Sequence, residues 1–349
     1  MRTLVVRDDR IGDLVLTLPA IEALARGGDE ITLLASAANA DVVVDDPRIA
    51  RVVVLPERGW PRLRGFAGLL RRGRFDRAFF FRSRWPLGWI AALFRVPSRV
   101  GPLANVDGLS YTVRPRQHRS ICDRSEADYS LELVRLAGAG APDASEAGGG
   151  EPRTRLHVPE VLRERARRWI GSELGAAASA RPLVAIHPGS GGSSRNWSAA
   201  HYRSLVRELA RAGDVVPIVT AAPAEAALAK EVAAGATPAA LVHVGWAGAL
   251  AHAALLAEMS VVVSGSTGTM HLAAAVGVPT VSLFAPIRAS SPARWGARSP
   301  DARFLIPPVP DCERCIGLEC PWWDCMDRIG VDRVVSAVRE ALRRPTSGG

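Results

Sequence analysis

The stretch LVVRDDRIGDLVLTLPAIEAL, Leu4 to Leu24, decides how this chain reads. Leu4–Val6 is a short run rich in β-branched residues and predicts a strand, and from Leu14 onward apolar residues recur at helical spacing. The loop between them holds Arg7, Asp8, Asp9, Arg10, Gly12 and Asp13, three aspartates and two arginines around one glycine. In open α/β folds a first strand-to-helix loop commonly spends glycines on a cofactor phosphate. Here carboxylates crowd the same place, so something at the C-terminal edge of the first strand needs a carboxylate.

Outward from that loop, strands and helices alternate. Residues 4–7, 31–35, 52–55, 78–81 and 99–100 predict strands, with helical patterns at 14–26 and 63–72 and a leucine-rich helix in SEADYSLELVRLAGAG (125–140). The segment APDASEAGGGEP (141–152) breaks the pattern and predicts a linker. A second α/β unit follows Arg181. PLVAIHPG, VVPIVTAA, SVVVSG and PTVSLFAP predict strands, and SAAHYRSLVRELARAG an amphipathic helix capped by Ser198 and closed by Gly213. Alternation at this spacing predicts parallel sheets covered by helices, two similar α/β domains facing across a cleft. The expected boundaries are 1–165 and 180–325, with 326–349 as a helix packing back on the domains.

A length of 349 residues suits two domains, and 48% hydrophobic content excludes a disordered chain. The opening has no apolar h-region with a cleavage site, and no window has the length and purity of a transmembrane helix. The expectation is a cytoplasmic protein, with contact at the inner face of the cytoplasmic membrane left open. The net charge of +9 is carried almost wholly by arginine, Lys230 being the only lysine. Between Arg58 and Arg119 fourteen arginines face two acids, Asp76 and Asp107, an excess of twelve. Such a segment either makes a positive field toward an anionic partner or is a solvated face spread over several helices.

The dinucleotide fingerprint, the P-loop, H-E-x-x-H and G-x-S-x-G are all absent, which removes nicotinamide, kinase, metalloprotease and serine-hydrolase readings. Three polar loops at strand ends remain. Asp13 is either a helix cap or a general base. HPGSGGSSRNW (187–197) lets backbone N–H groups approach an anion near Ser190, with the charge of Arg195 close by. In SGSTGTMHLAAAVGVP (264–279), Ser266, Thr267 and Gly268 open a helix whose start suits a second anion, followed by Thr269, Met270 and His271. His271 has the competing reading of a satisfied histidine at a packed helix start, and Met270 that of a core residue.

With these loops in hand, the sequence resembles the ADP-heptose:lipopolysaccharide heptosyltransferases of glycosyltransferase family 9. The family's opening motif matches Arg7, Gly12, Asp13, Leu18, Pro19 and Ala20. Its His-Pro-Gly loop matches His187, Pro188, Gly189, Arg195 and Trp197, and its Thr-Gly-x-x-His helix start matches Thr267, Gly268 and His271. The resemblance implies a GT-B fold and inverting transfer with no metal required. It casts Asp13 as the base that deprotonates the acceptor hydroxyl and Arg195 as the cation neutralising the leaving diphosphate. Ser190, Ser266, Thr267, Gly268, Thr269, Met270 and His271 would bind the donor on the C-terminal domain, and the acceptor would bind the N-terminal one. The family usually has Asp where this chain has Ser266, and often Lys where it has Arg195. A hydroxyl carries no charge toward donor hydroxyls, and Arg replaces a point charge by a planar fork.

On this reading the partners are an ADP-sugar donor and an anionic acceptor such as phosphorylated lipopolysaccharide core. Gly12, Arg58, Arg62, Arg64, Arg82 and Arg84 would receive that acceptor, a peripheral membrane contact fits, and nucleic acid is not expected. A family-like transferase acting on a secondary metabolite or a protein is the alternative. A non-catalytic anion- or nucleic-acid-binding protein is a third reading, weakened by few aromatics for stacking.

Cys312, Cys315, Cys320 and Cys325 fall in CERCIGLECPWWDC with spacing C-x2-C-x4-C-x4-C. That spacing is compatible with a four-thiolate site for zinc or iron and equally with a reduced structural cluster. A cytosolic chain disfavours disulfides.

Overall fold

A computed structural model describes the chain except residues 83, 141–153, 179–180, 193, 246–247 and 344–349, and the side chains of 176–178. The linker expected at 141–152 lies outside the described residues. The chain divides into two compact units between His157 and Val158. The division falls before the boundary expected at 165. It places the long helix Glu160–Ala178 in the second unit, together with the C-terminal helix expected to pack back on the domains.

The first unit has strands β1 (Arg2–Arg7), β2 (Glu30–Ala35), β3 (Arg51–Val54), β4 (Arg77–Phe80) and β5 (Ser98–Val100). They form one sheet of order β3-β2-β1-β4-β5, parallel throughout. Its helices are α1 (Ile11–Val15), α2 (Leu18–Arg26), α3 (Gly59–Gly73), α4 (Leu87–Leu93) and α5 (Glu126–Leu136). The single helix expected over 14–26 is thus two. Pro19, near the start of α2, lacks the N–H that a continuous helix would use, and it suits a first turn. Ser125 caps α5 in a reciprocal box with Asp128.

The second unit has β6 (Leu183–His187), β7 (Val216–Ala221), β8 (Leu241–Val244), β9 (Val261–Gly265), β10 (Thr280–Leu283) and β11 (Ala302–Leu305), again all parallel, in the order β11-β10-β9-β6-β7-β8. Around it run α6 (Glu160–Ala178), α7 (Ala199–Ala212), α8 (Ala226–Ala233), α9 (Ala249–Leu256), α10 (Gly268–Ala275), α11 (Pro292–Trp295) and α12 (Val331–Arg343). The helix over 199–212 matches expectation at both ends. The Ser198 side chain accepts from the His201 N–H, and Gly213 takes the left-handed conformation at φ 72° that closes a helix. Helix α12 packs on α7, β9 and β10, burying Val334, Val338 and Ala341 in the core that also holds Val184, Ile186 and Leu205.

Both sheets start in the middle. In the first, the chain goes from β1 to one side and then crosses to β4. In the second it goes from β6 to one side and then crosses to β9. At such a reversal the loops leaving two adjacent strands diverge and open a crevice at the strand C-termini. The carboxylate-rich loop leaves β1, and the Ser266–Gly268 loop leaves β9 beside the His-Pro-Gly loop of β6. Among the described residues no helix is long and apolar enough to cross a membrane.

Candidate active site

In the first unit the loop after β1 is organised by its own arginine. Arg7 is 2% exposed. Its guanidinium donates from Nε to the Asp13 carbonyl at 3.1 Å and from Nη2 to Asp13 Oδ1 at 2.9 Å, and Nε also lies 3.4 Å from Asp9 Oδ1. Asp13 stands in the first turn of α1, where the macrodipole favours a carboxylate, yet the helix has no side-chain cap bond. The capping reading therefore gives way to a carboxylate fixed by Arg7. Oδ2 makes no hydrogen bond among the described residues, and the side chain keeps 16% exposure, enough to meet a solute.

Asp9 is a feature the motif reading passed over. Its side chain is 4% exposed, and neither carboxylate oxygen has a hydrogen-bond donor. Burial pushes its carboxyl up to about 6, against the pull of Arg7 and with a push from Asp13. Asn39 and Ser36 donate to the Asp9 carbonyl and so hold the loop backbone.

The predicted acceptor arginines separate into two sets. Arg62 and Arg84 converge on Asp8, Arg84 through Nε at 2.9 Å, so both are occupied by an acid outside the basic segment. Arg82 approaches Asp9 Oδ2 at 3.8 Å while staying 59% exposed. Arg58 and Arg64 are exposed at the start of α3, with Gly12 half-buried beside Asp13. Further arginines of the segment are structural: Arg77 pairs with buried Asp29, Arg99 donates to the carbonyls of Val96 and Ser110, and Arg119 pairs with Glu126. The excess of twelve is therefore partly neutralised by acids far away in sequence. The loops after β1 and β4 nevertheless bring Asp9, Asp13, Arg82 and Arg84 to one sheet edge.

In the second unit, β6 and β9 are neighbours with His187 opposite Ser264, so the two predicted donor loops emerge side by side. Their contact depends on Gly265, where a Cβ would stand 2.8 Å from Asn196 Oδ1. That oxygen also accepts from Tyr202 at 2.8 Å and from the Trp197 N–H at 3.0 Å, which fixes the far end of the His-Pro-Gly loop. His187 is buried and pushed down to about 4 by desolvation, and its Nδ1 meets Thr220 Oγ1 at 3.0 Å. It is a neutral structural residue.

The helix start divides by depth. Met270 packs with Ala274, Phe284 and Ala297, so it belongs to the core and not to the donor surface where it was expected. His271 is buried, pushed down to about 4, with Nδ1 unpartnered. Thr269 is buried with its hydroxyl 3.4 Å from His252 Nε2. Thr267 is the N-cap of α10, but its hydroxyl makes no capping bond and is buried without a partner, free to donate to a ligand. The Ser266 N–H is spent on the Leu283 carbonyl at 3.1 Å. Ser266 and Gly268 are the half-exposed residues of this stretch.

The structure also shows a carboxylate that motif reading missed. Glu225, just past β7, accepts from the Gly191 N–H at 3.0 Å, and a Cβ on Gly189 would fall 2.0 Å from its carboxylate. A side chain at 189 would push the Glu225 carboxylate off this position. Ser190 lies between, donating to the Ser194 carbonyl at 3.4 Å.

Arg195 is half-exposed and reaches toward the cysteine segment. Nη1 donates to Cys315 Sγ at 3.3 Å and Nη2 to the Trp323 carbonyl. The four cysteines and Arg195 line one small cavity. Each thiol has separate business: Cys312 with the Pro286 carbonyl, Cys320 with the Trp322 N–H, Cys325 in the core against α12. Among the described residues no three His, Cys, Asp or Glu side chains gather closely enough to ligate one ion.

A family model described as glycosyltransferase family 9 (heptosyltransferase) matches residues 141–321, more than half of the chain. A putative glycosyltransferase of Haemophilus influenzae is 28% identical over 301 residues, covering 84% of this chain and 85% of that protein. Lipopolysaccharide heptosyltransferase 1 of Pseudomonas aeruginosa is 26% identical over 341 residues, covering 92% and 88%. Two crystal structures share the fold. The family 9 glycosyl transferase of Veillonella parvula has a TM-score of 0.80 at 19% identity, covering 98% and 97% of the chains. The E. coli heptosyltransferase WaaC with ADP has a TM-score of 0.70 at 18% identity, covering 98% and 100%. A transferase family excludes the non-catalytic binding reading. With both sheet reversals carrying the polar loops of the three motifs, the chain belongs to glycosyltransferase family 9, the heptosyltransferase family, and has its GT-B fold of two parallel-sheet α/β domains.

Proposed function

We propose that this chain transfers a heptose or a related sugar from an ADP-activated donor to a hydroxyl of an anionic acceptor, with phosphorylated lipopolysaccharide core as the acceptor class, by single displacement with inversion. The observation that carries the reading is the placement of Asp13, a carboxylate fixed through one oxygen by buried Arg7 at the reversal of the first sheet. Its second oxygen takes the acceptor proton as the hydroxyl oxygen attacks the anomeric carbon and the bond to the diphosphate breaks. A general base of this kind contributes roughly 10²–10⁴-fold to rate.

In the second unit, the free N–H groups opening α10 and the unpartnered Thr267 hydroxyl supply donors for a diphosphate. Arg195 supplies the charge that balances the departing ADP. Glu225 offers the acceptor for sugar hydroxyls that Ser266 cannot provide as an anion. The ADP bound to WaaC and the lipopolysaccharide named for the Pseudomonas enzyme support the donor and acceptor classes.

No metal is required for this transfer. The four cysteines act as a reduced structural segment that holds Arg195, and a structural zinc or iron ion would demand that thiols now apart converge. Metal content of the purified protein, measured by mass spectrometry, distinguishes the two: below one ion per ten chains supports the reduced segment, and one per chain contradicts it.

Calorimetric titration of ADP, UDP and GDP into wild type and Arg195→Ala tests the donor assignment. ADP preferred at least ten-fold, with at least a ten-fold loss in the variant, is expected. Indifference among the three nucleotides would sink it.

A further inference from the structure

We propose that the face formed by α4 and the neighbouring turn Val106–Ser110 is a docking surface for an anionic phospholipid bilayer. Helix α4 buries Leu87 and Ala91 in the first unit's core, so its inward side is satisfied. Outside, Trp89 and Leu93 are one helical turn apart on the solvent side. Trp85 leads into the helix, Phe94 ends it, and Val106 and Leu109 project from the packed turn. Trp85 is 68% exposed, Leu93 78% and Val106 62%, values that no core role explains. Gly88 lets the two elements close up, since a Cβ there would fall 2.2 Å from Ser110 Oγ. Single exposed apolar residues are ordinary, but six on two packed elements make a patch that marks an interaction surface.

Charge chooses the occupant. The chain from Arg77 to Val106 contains no Asp or Glu. Asp107, the acid beside it, is buried and accepts from the Arg84 N–H and the Tyr111 hydroxyl, so it shows no charge outside. Exposed Arg82, Arg95 and Arg114 flank the patch, Arg95 next to Phe94 and Arg114 donating to the Leu109 carbonyl at 3.1 Å. Tryptophan with arginine is the composition that enters an anionic headgroup layer, with rings at the acyl boundary and guanidiniums on phosphates. A second copy meeting the patch by two-fold symmetry would set arginine against arginine. The inference stands on exposure and charge and does not depend on which sugar or acceptor the chain uses.

The test is co-sedimentation of the full chain with vesicles of phosphatidylethanolamine and phosphatidylglycerol, free of any glycolipid, against vesicles of phosphatidylcholine alone. Binding to the anionic vesicles that weakens with salt, with a blue shift of tryptophan emission, is expected. Trp89→Ser/Leu93→Ser should weaken it at least ten-fold. Arg95→Glu/Arg114→Glu, which leaves the apolar face intact, should weaken it more than about five-fold per site, the worth of one cation near such a surface. Equal binding to both vesicle types, no binding at all, or binding indifferent to both variants overturns the proposal. So does a concentration-dependent dimer abolished by Trp89→Ser/Leu93→Ser, or capture of single-stranded DNA in preference to vesicles. Because the vesicles carry no sugar acceptor, a chain that transfers no heptose can still pass, and an active transferase can still fail.

Discussion

Arg195, the cation assigned to the leaving diphosphate, donates to Cys315 Sγ at 3.3 Å and to the Trp323 carbonyl. The Gly317 backbone N–H, together with Arg195, holds the Cys315 thiol below the usual thiol range. Cys315 is exposed, whereas Cys122 and Cys325 are buried. Limited alkylation with iodoacetamide, read by peptide mass spectrometry, should therefore label Cys315 first of the five. Saturating ADP should slow that labelling at least two-fold, because a diphosphate draws Arg195 from the sulfur. Faster labelling of Cys325 or Cys122 would contradict this arrangement.

Asp9 and Asp13 share Arg7, which makes Asp9 a positioning residue with a pH signature. Below about 6 Asp9 is neutral and Arg7 is left to Asp13 alone; above it the ionised Asp9 competes for the guanidinium and loosens its hold on Asp13. The transfer rate should rise as pH passes through about 6, and Asp9→Asn should flatten that step. A raised folded pKa also means a contribution to stability that is present in acid and lost as pH rises through about 6. Asp9→Asn should then melt no lower than wild type at pH 8, the relief being up to about 3 kcal/mol. An unchanged pH profile in the variant would remove Asp9 from the account.

The second unit titrates in the opposite sense. His187 and His271 are buried and held down at about 4 by desolvation. Above pH 6.5 folded and unfolded chains are both neutral at these sites. Between there and about 4 the unfolded chain binds protons that the folded one refuses, so stability falls by up to about 3 kcal/mol per histidine. Thermal melts at pH 7 and pH 4.5 should differ, and His271→Gln should narrow the difference. Equal melting temperatures at both values would contradict the buried neutral state.

Gly189 tests the carboxylate that motif reading missed. Alanine there puts a methyl group against the Glu225 carboxylate and displaces it. Gly189→Ala should weaken ADP binding at least ten-fold while the melting temperature moves little. Full-strength binding would show that Glu225 has no part in the donor site.

Local signals carried most of the fold. Leu4–Val6, the Ser198 cap and the left-handed Gly213 each report on residues within a turn or a strand, and the structure places them as read. The edge strands β8 and β11 went unread because they are only half-buried and lack a sustained apolar run. Helix α6 went unread because its apolar residues Val161, Leu162, Trp169 and Ile170 sit among seven charged ones without a clean stripe. The site was legible where a motif is contiguous, and illegible where partners are distant. Asp8 answers Arg62 and Arg84 from more than fifty residues away in sequence, and Glu225 reaches Gly191 from another loop, so neither the spent arginines nor the second carboxylate shows in a local pattern.

The central claim is that Asp13 is the base of an ADP-sugar transferase, and Asp13→Asn tests it most directly. ADP release from ADP-heptose should be measured with a deacylated lipopolysaccharide core acceptor, alongside calorimetric ADP affinity. The account predicts ADP affinity within two-fold of wild type and a transfer rate lower by roughly 10²–10⁴-fold. Wild-type transfer by Asp13→Asn would contradict it.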